Sequence, residues 1–271
     1  MERGARLSEK RVFPSVMMSI VCLLPVRNGA EHLPRFFASA ARFADAVIAL
    51  DDGSTDETRD MLAAQPLVKR VLANPRRENF TGWDDSANRQ HLLDAAQDFS
   101  PTWIVFLDAD EAFDATDASA LREFLYSCRL ENVAFGFKVF RMLGDGTTFD
   151  DTGGMWGWRA FSYAEGQRMR ERRLHFPPIP VSIPENRWLR TTVRIQHFNG
   201  TTEERRQLRY QKYQEIDPDR QFQPSYENLL APPTNEKMWA LRPTDLPVLL
   251  DRPTGFMAAL FGKGKQSKGS K

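Results

Sequence analysis

Residues Trp103-Ile-Val-Phe-Leu-Asp108-Ala-Asp110-Glu111 constrain this chain more than any other stretch. Trp103 to Leu107 is apolar at every position, and a run this short suits a strand buried on both faces of a parallel sheet. It ends abruptly in three carboxylates within four positions. Like charges at such range raise one another's pKa values, so the cluster needs compensation. The usual compensation for all-oxygen donors is a hard divalent cation, Mg²⁺ or Mn²⁺. Ligands of open α/β sheets also bind at the carboxyl ends of strands. In an extended segment Asp108 and Asp110 point to the same side, with Ala109 between them. The plainer alternative is that these acids cap the next helix.

The pattern has precedents upstream. Ser19 to Leu24 reads as a first strand ended by Pro25, and Pro25 to Gly29 as a turn. Leu33, Phe36, Phe37, Ala40 and Ala41 recur at helical spacing and predict a helix over 31–44. A second strand, Ala46 to Leu50, again ends in acids, in Asp51-Asp52-Gly53-Ser54-Thr55-Asp56. Ser54 or Thr55 can cap a helix running to about Gln65, with Asp56 serving its N-terminal dipole. Leu67–Leu72 is a third strand, Trp83–Phe99 a helix, and Val133–Leu143 a fifth strand after the opening stretch. Arg76 and Arg77 read as a solvated loop face. This alternation implies right-handed βαβ units, hence an α/β fold with a single, mostly parallel sheet flanked by helices.

The second half is different in composition. Of the 17 prolines, six precede residue 176 and eleven follow it, which predicts an irregular, loop-rich half. Within it Thr191–Phe198 reads as a strand and Thr202–Glu215 as a helix. The expected organisation is a disordered segment over 1–18, a ligand-binding α/β half over 19–145, a loop-rich half over 146–231, and an extended flexible tail over 232–271.

Charge and hydropathy exclude several classes. A formal net charge of +1 offers no field for nucleic acid. The two cysteines, Cys22 and Cys128, build no disulfide framework, which fits a reducing, cytoplasmic setting. The longest apolar run, Val16 to Val26, is broken by Ser19 and Pro25 and is too short to span a bilayer. The apolar pieces after Leu246, followed by lysines, allow at most peripheral contact with an anionic membrane face.

Two acid clusters at strand ends, preceded by Pro25-x-Arg27-Asn28, resemble the family 2 glycosyltransferases of the GT-A fold. The segments that carry the resemblance are Leu24-Pro-Val-Arg-Asn28, Leu50-Asp-Asp-Gly-Ser-Thr-Asp56, Asn79-x-x-Gly82 with Ala87-Asn-Arg-Gln90, and Phe106-Leu-Asp-Ala-Asp-Glu111, a DXD motif. Their form looks most like the branch that adds core sugars to bacterial lipopolysaccharide. The resemblance implies a role for each matched position. Pro25, Arg27 and Asn28 would line a nucleotide base pocket. Asp51, with Asp52 beside it, would accept hydrogen bonds from base and ribose. Asp108 would face the ribose or a metal-bound water, Asp110 would ligate Mn²⁺ or Mg²⁺, and Arg89 would approach the phosphates. Gln90 stands where the family usually has Asn.

His197 ends an apolar strand and precedes Asn199-Gly200; it is either a further metal ligand, as a late His is in similar enzymes, or a hydrogen-bonded strand-end residue. His32 and His91 fall on helices and read as structural or exposed. The base is less legible. Similar sequences carry an acidic pair or His-Glu here, whereas this chain reads Arg172-Arg-Leu-His175-Phe176. The candidates are His175, Glu171 and Glu185, with His175 preferred because its ordinary pKa suits a base near neutrality. Met155, Trp156, Trp158 and Trp188 are either an acceptor wall or core.

The expected activity is inverting, metal-dependent transfer of a sugar from a nucleotide-diphosphate donor to a glycan or glycolipid acceptor hydroxyl in cell-envelope synthesis. Two alternatives stand beside it: a non-catalytic nucleotide-sugar-binding scaffold, consistent with Phe176, and a nucleotidyltransferase, against which the lack of a Gly- and Lys-rich phosphate loop argues.

Overall fold

The computed structural model describes residues 19–80 and 82–251, so the predicted segment 1–18 and the part of the predicted 232–271 tail from 252 on lie outside it. Among the described residues nine strands form one sheet in the order β3-β2-β1-β4-β7-β6-β8-β5, with β9 added to β7. The parallel half is β1 (Ile20–Val26), β2 (Ala46–Asp51), β3 (Val68–Ala73) and β4 (Trp103–Phe106). Alternate residues of these strands feed two cores. Cys22, Leu24, Val47, Ala49 and Val105 face α1 (Leu33–Phe43) and α4 (Ala115–Ser127). Val21, Leu23, Ile48, Ile104 and Phe106 face α3 (Asp85–Ala96) together with Ile179 and Ile183 from an irregular segment. Burial on both faces is why these strands read as continuous apolar runs rather than alternating ones.

Pro25 does not end the first strand, which continues to Val26 beside Asp51. The reason lies in the neighbouring strand. Leu23 still accepts from Leu107 N–H, but β4 pairs with β1 only as far as Phe106. Two residues on, the nitrogen of Pro25 faces the edge from which β4 has departed, so its missing donor costs nothing. The same divergence opens a cleft between the two strand tips.

The second half of the sheet is antiparallel for the most part. β6 (Ala134–Leu143) and the 15-residue β7 (Thr148–Ser162) form a long hairpin, β4 pairs with β7, and β8 (Trp188–His197) lies parallel to β6. β7 is absent from the sequence reading for two reasons. The proline excess sits entirely beyond residue 176, so averaging over the half-chain hid a proline-free stretch. Gly153 and Gly154, both at positive φ, also interrupt the pattern where the register slips. Residues 236–251 are docked against the sheet. β9 (Glu236–Met238) pairs with β7, Thr192 N–H donates to Val248 and Arg190 clamps Asp251.

α2 (Thr58–Ala64) starts without a side-chain cap, so neither Ser54 nor Thr55 caps it. Ser54 Oγ instead accepts from Asn28 N–H, and Asn28 Oδ1 accepts from Thr55 N–H at 2.8 Å. Asp56 bonds Thr58 and Ala30 N–H, in keeping with a helix-start role. These bonds lash the β1 tip to the β2 tip.

Candidate active site

A cavity of about 450 Å³ opens at the carboxyl ends of β1 and β4, closed on its far side by α5 (Glu203–Ile216). Pro25, Arg27, Asn28, Arg89, Asp108, Asp110, His175 and His197 all line it. Asp51 and Asp52 do not.

The three acids of the 108–111 stretch have three different partners. Asp108 Oδ1 accepts from Arg89 Nη2 at 2.8 Å, and Arg89 Nε reaches back to Asp85, one helical turn earlier on α3, at 2.9 Å. Burial pushes Asp108 up, but Arg89 and then Arg159 outweigh it and hold the carboxyl below its usual range. Desolvation holds Asp85, half-buried beside Asp108, above that range although Arg89 pulls it down. Glu111 is 3% exposed and bound in bidentate fashion by Arg159 of β7, at 3.0 and 2.8 Å. It is therefore tied into the sheet and faced away from the cavity. Asp110 Oδ2 stands 3.4 Å from His197 Nε2. Burial raises Asp110, yet His197, with smaller contributions from His32 and Arg209, drives its carboxyl far below the usual range.

The pairing of β5 (Glu111–Ala112) with the end of β8 causes this meeting. Glu111 lies opposite His197, and Asp110 C=O accepts from Phe198 N–H at 2.8 Å. The segment itself is turned, with Glu111 N–H on Asp108 C=O, and not extended as the spacing implied. Asp108 and Asp110 nonetheless both reach the cavity.

The other predicted positions separate cleanly. Asp51, fully buried, accepts from Arg59 Nε at 2.9 Å and from Ser54 N–H at 3.0 Å. Asp52 is 2% exposed and paired with Arg77 and Asn74, so Arg77 is not the solvated residue expected; Arg76, by contrast, is exposed. Arg27 donates to Arg77 C=O at 2.8 Å and its guanidinium lies 4.3 Å from the Phe80 ring centre. Of the three base candidates only His175 lines the cavity. Glu171 belongs to a separate depression of about 690 Å³ behind α3, and Glu185 is exposed beside Arg170 at 3.4 Å. Sequence spacing had no means of showing which side of the 168–185 segment faces in. Trp158 and Trp188 pack on one another at 5.0 Å against the core, and Met155 is exposed; none of them, nor Trp156, walls the cavity.

Several cavity residues were not singled out from the sequence. Lys212 of α5 holds its ammonium 4.4 Å from the ring centre of Trp83 and 5.1 Å from that of Phe80, both of which border the cavity. Burial lowers its pKa, although Asp110 and Asp108 oppose this. Arg209 lies one turn before it, and Tyr213 beside it. Lys212, Arg209 and Tyr213 recur at helical spacing, a signal obscured because α5 is polar nearly all round. His32, read as structural or exposed, lies near Asp110 and His197, and burial lowers its pKa.

The glycosyl transferase family 2 model matches residues 21–198. An uncharacterized protein of Mycobacterium tuberculosis is 28% identical over 219 residues, covering 76% of this chain and 52% of that protein. A Mycobacterium bovis protein, also uncharacterized, gives the same figures. The chain thus spans about half the length of these relatives. Among solved structures, S. aureus TarS aligns with a TM-score of 0.46 at 14% identity, over 74% of this chain and 40% of that one. Its 1–349 fragment in complex with UDP-GlcNAc aligns at 0.34 and 15% identity, over 47% and 35%. The family match takes in both acid-tipped strands, the Arg89 helix and the His197 strand of this GT-A-type α/β sheet: the chain belongs to glycosyl transferase family 2.

Proposed function

We propose that the protein transfers a sugar, with inversion, from a nucleotide-diphosphate donor to an acceptor hydroxyl, with a divalent cation bound at Asp110 and His197. The observation that carries this reading is the apposition of Asp110 and His197, 3.4 Å apart at the mouth of a cavity lined by two strand tips. One carboxylate oxygen and one imidazole nitrogen are a donor pair that Mn²⁺ accepts more readily than Mg²⁺. Among the described residues no group of three or more His, Cys, Asp or Glu is spaced to hold a metal. A cation bound by only two side chains needs phosphate oxygens and water to complete its shell, so affinity for metal and for nucleoside diphosphate should be coupled. Bound there, it supplies charge neutralisation for the departing diphosphate. Arg209 and Lys212 face the same space and add fixed positive charge.

Arg27, with Phe80, is the proposed seat of the base; Asp51 reaches it only if the half-exposed Arg59 swings aside. Asp108, anchored by Arg89, is the proposed ribose contact. His175 is the proposed proton acceptor. The Leu107-Asp-Ala-Asp-Glu111 form supports a cell-surface glycan or glycolipid as acceptor. Phe176, in place of an acid, favours a second reading, a nucleotide-sugar-binding scaffold without turnover. Release of nucleoside diphosphate from a panel of donors, with and without Mn²⁺, separates the two: transfer predicts release that Asp110→Asn abolishes, whereas saturable binding without release selects the scaffold.

A further inference from the structure

His175 stands at the head of a stack of three rings. Its imidazole lies 5.5 Å from the Tyr213 ring at an interplanar angle of 23°, and Tyr213 lies 4.9 Å from Tyr226 at 10°. Its backbone is in the left-handed region, at φ 55°, with Leu174 buried beside it. His175 Nε2 is 3.1 Å from Tyr226 Oη, and Tyr226 Oη donates to Asp217 Oδ2 at 2.7 Å. Tyr226 and Asp217 are 1% and 2% exposed. Asp217 also accepts from the backbone N–H groups of Gln221 at 2.7 Å and Phe222 at 3.1 Å.

The direction of this chain follows from counting hydrogens. A carboxylate that takes two N–H bonds and a phenol can only accept. Tyr226 has one hydroxyl hydrogen, and it is committed to Asp217. Toward His175 the phenol oxygen therefore offers a lone pair, and Nε2 must carry a hydrogen. In a neutral imidazole the other nitrogen, Nδ1, then has the free lone pair.

We propose that Asp217 and Tyr226 are positioning residues that lock His175 in the Nε2–H tautomer, so that Nδ1 takes the acceptor's proton. This rests on the glycosyl-transfer reading above. In the step, the acceptor O–H bond breaks and its proton moves to Nδ1. The freed oxygen pair forms the bond to the anomeric carbon as the carbon–oxygen bond to phosphate breaks, and that electron pair leaves with the nucleoside diphosphate. The imidazolium that results keeps its Nε2–H on Tyr226, with the Asp217 charge behind it. The constellation needs no acid at position 176, where similar sequences carry Glu. Charged groups near His175 are Arg172 on its own loop, Arg209 on α5, Asp217 after α5 and Asp85 on α3.

The test uses Tyr226→Phe, which removes one hydroxyl and keeps the ring stack, with thermal unfolding as the check on folding. Two-bond ¹H–¹⁵N spectra of histidine-labelled protein, with His175 assigned by its loss in His175→Gln, read the tautomer without reference to activity. The expected result is Nε2–H in the wild type and a tautomer mixture in Tyr226→Phe. kcat should fall about tenfold or more with donor KM little changed, and the acid limb of the kcat profile should shift. A wild-type Nδ1–H tautomer overturns the proposal, as does Tyr226→Phe with unchanged tautomer and unchanged kcat. Wild-type turnover that survives His175→Gln overturns the proton-acceptor role while leaving glycosyl transfer intact. Donor that is bound and never turned over by the wild type instead removes the reading on which the role rests.

Discussion

His197 Nε2 meets Asp110 Oδ2 at 3.4 Å because the two-residue strand β5 pairs antiparallel with the end of β8, setting Glu111 opposite His197. Residues 87 positions apart in sequence thereby supply adjacent donor atoms to one corner of the cavity. If a cation sits there, His197→Ala should raise the Mn²⁺ concentration for half-maximal turnover by about tenfold or more. An unchanged Mn²⁺ dependence in a folded His197→Ala protein would return this histidine to an ordinary strand-end role.

Glu111 makes a contrasting prediction. Its carboxylate is held by Arg159 through two bonds in a buried setting, so its contribution is to the sheet. Arg159→Met strands a buried carboxylate and should cost about 3–5 kcal/mol, while the double variant Arg159→Met/Glu111→Leu should recover much of that loss. Urea unfolding of the four proteins in the cycle measures this directly. Equal destabilisation by the single and double variants would show that the ion pair is not what Arg159 provides.

How far this site was legible can be judged from the acids. The buried runs at β1, β2 and β4 announce themselves, because strands covered on both faces have no polar positions to confuse the pattern. That Asp108, Asp110 and Glu111 need compensation also follows from their spacing. Their actual partners come from α3, β8 and β7, and local pattern carries no information on pairing across such distances. Asp51 and Asp52 show the same limit. They stand at the β2 tip, yet Arg59 and Arg77 cover them, and only the folded chain reveals it. β7 was missed because glycines and a half-chain proline count outweighed a proline-free strand. The α5 cations were missed because a helix polar on most sides gives no apolar stripe from which to orient it.

Acid stability should depend on Asp45, outside the cavity. Its carboxylate accepts from Ile20 N–H, Arg122 and Tyr126 Oη, joining the start of β1 to α4. Burial raises its pKa, but the Tyr126, Ile20 and Arg122 bonds outweigh this and hold it below the usual range. A carboxyl depressed on folding contributes stability above the unfolded value of about 4 and loses it as pH falls through the folded value. Asp45→Asn should therefore flatten the decline in urea midpoint below about pH 4. An equally steep decline in Asp45→Asn would assign acid sensitivity to other groups.

Gly53 fixes the turn after the β2 tip. It sits at φ 75°, and a Cβ there would collide with Pro75 O. Gly53→Ala combines a disfavoured backbone with a clash against main chain and should cost roughly 1–3 kcal/mol. The turn carries the Ser54 and Thr55 contacts to Asn28, so nucleoside-diphosphate affinity should fall as well. Thermal unfolding and titration calorimetry check both; a variant of native stability would mean that the loop yields easily.

The account turns on Asp110 facing a cation across from His197, and Mn²⁺ electron paramagnetic resonance tests this most directly. Mn²⁺ is titrated into the wild type and into Asp110→Asn, each alone and with a panel of nucleoside diphosphates. The predicted result is weak binding alone, binding by the wild type that tightens beyond the nucleotide's own Mn²⁺ affinity when the right diphosphate is added, and loss of that gain in folded Asp110→Asn. A wild type that binds the diphosphate equally well in EDTA, with Asp110→Asn behaving the same, would contradict it.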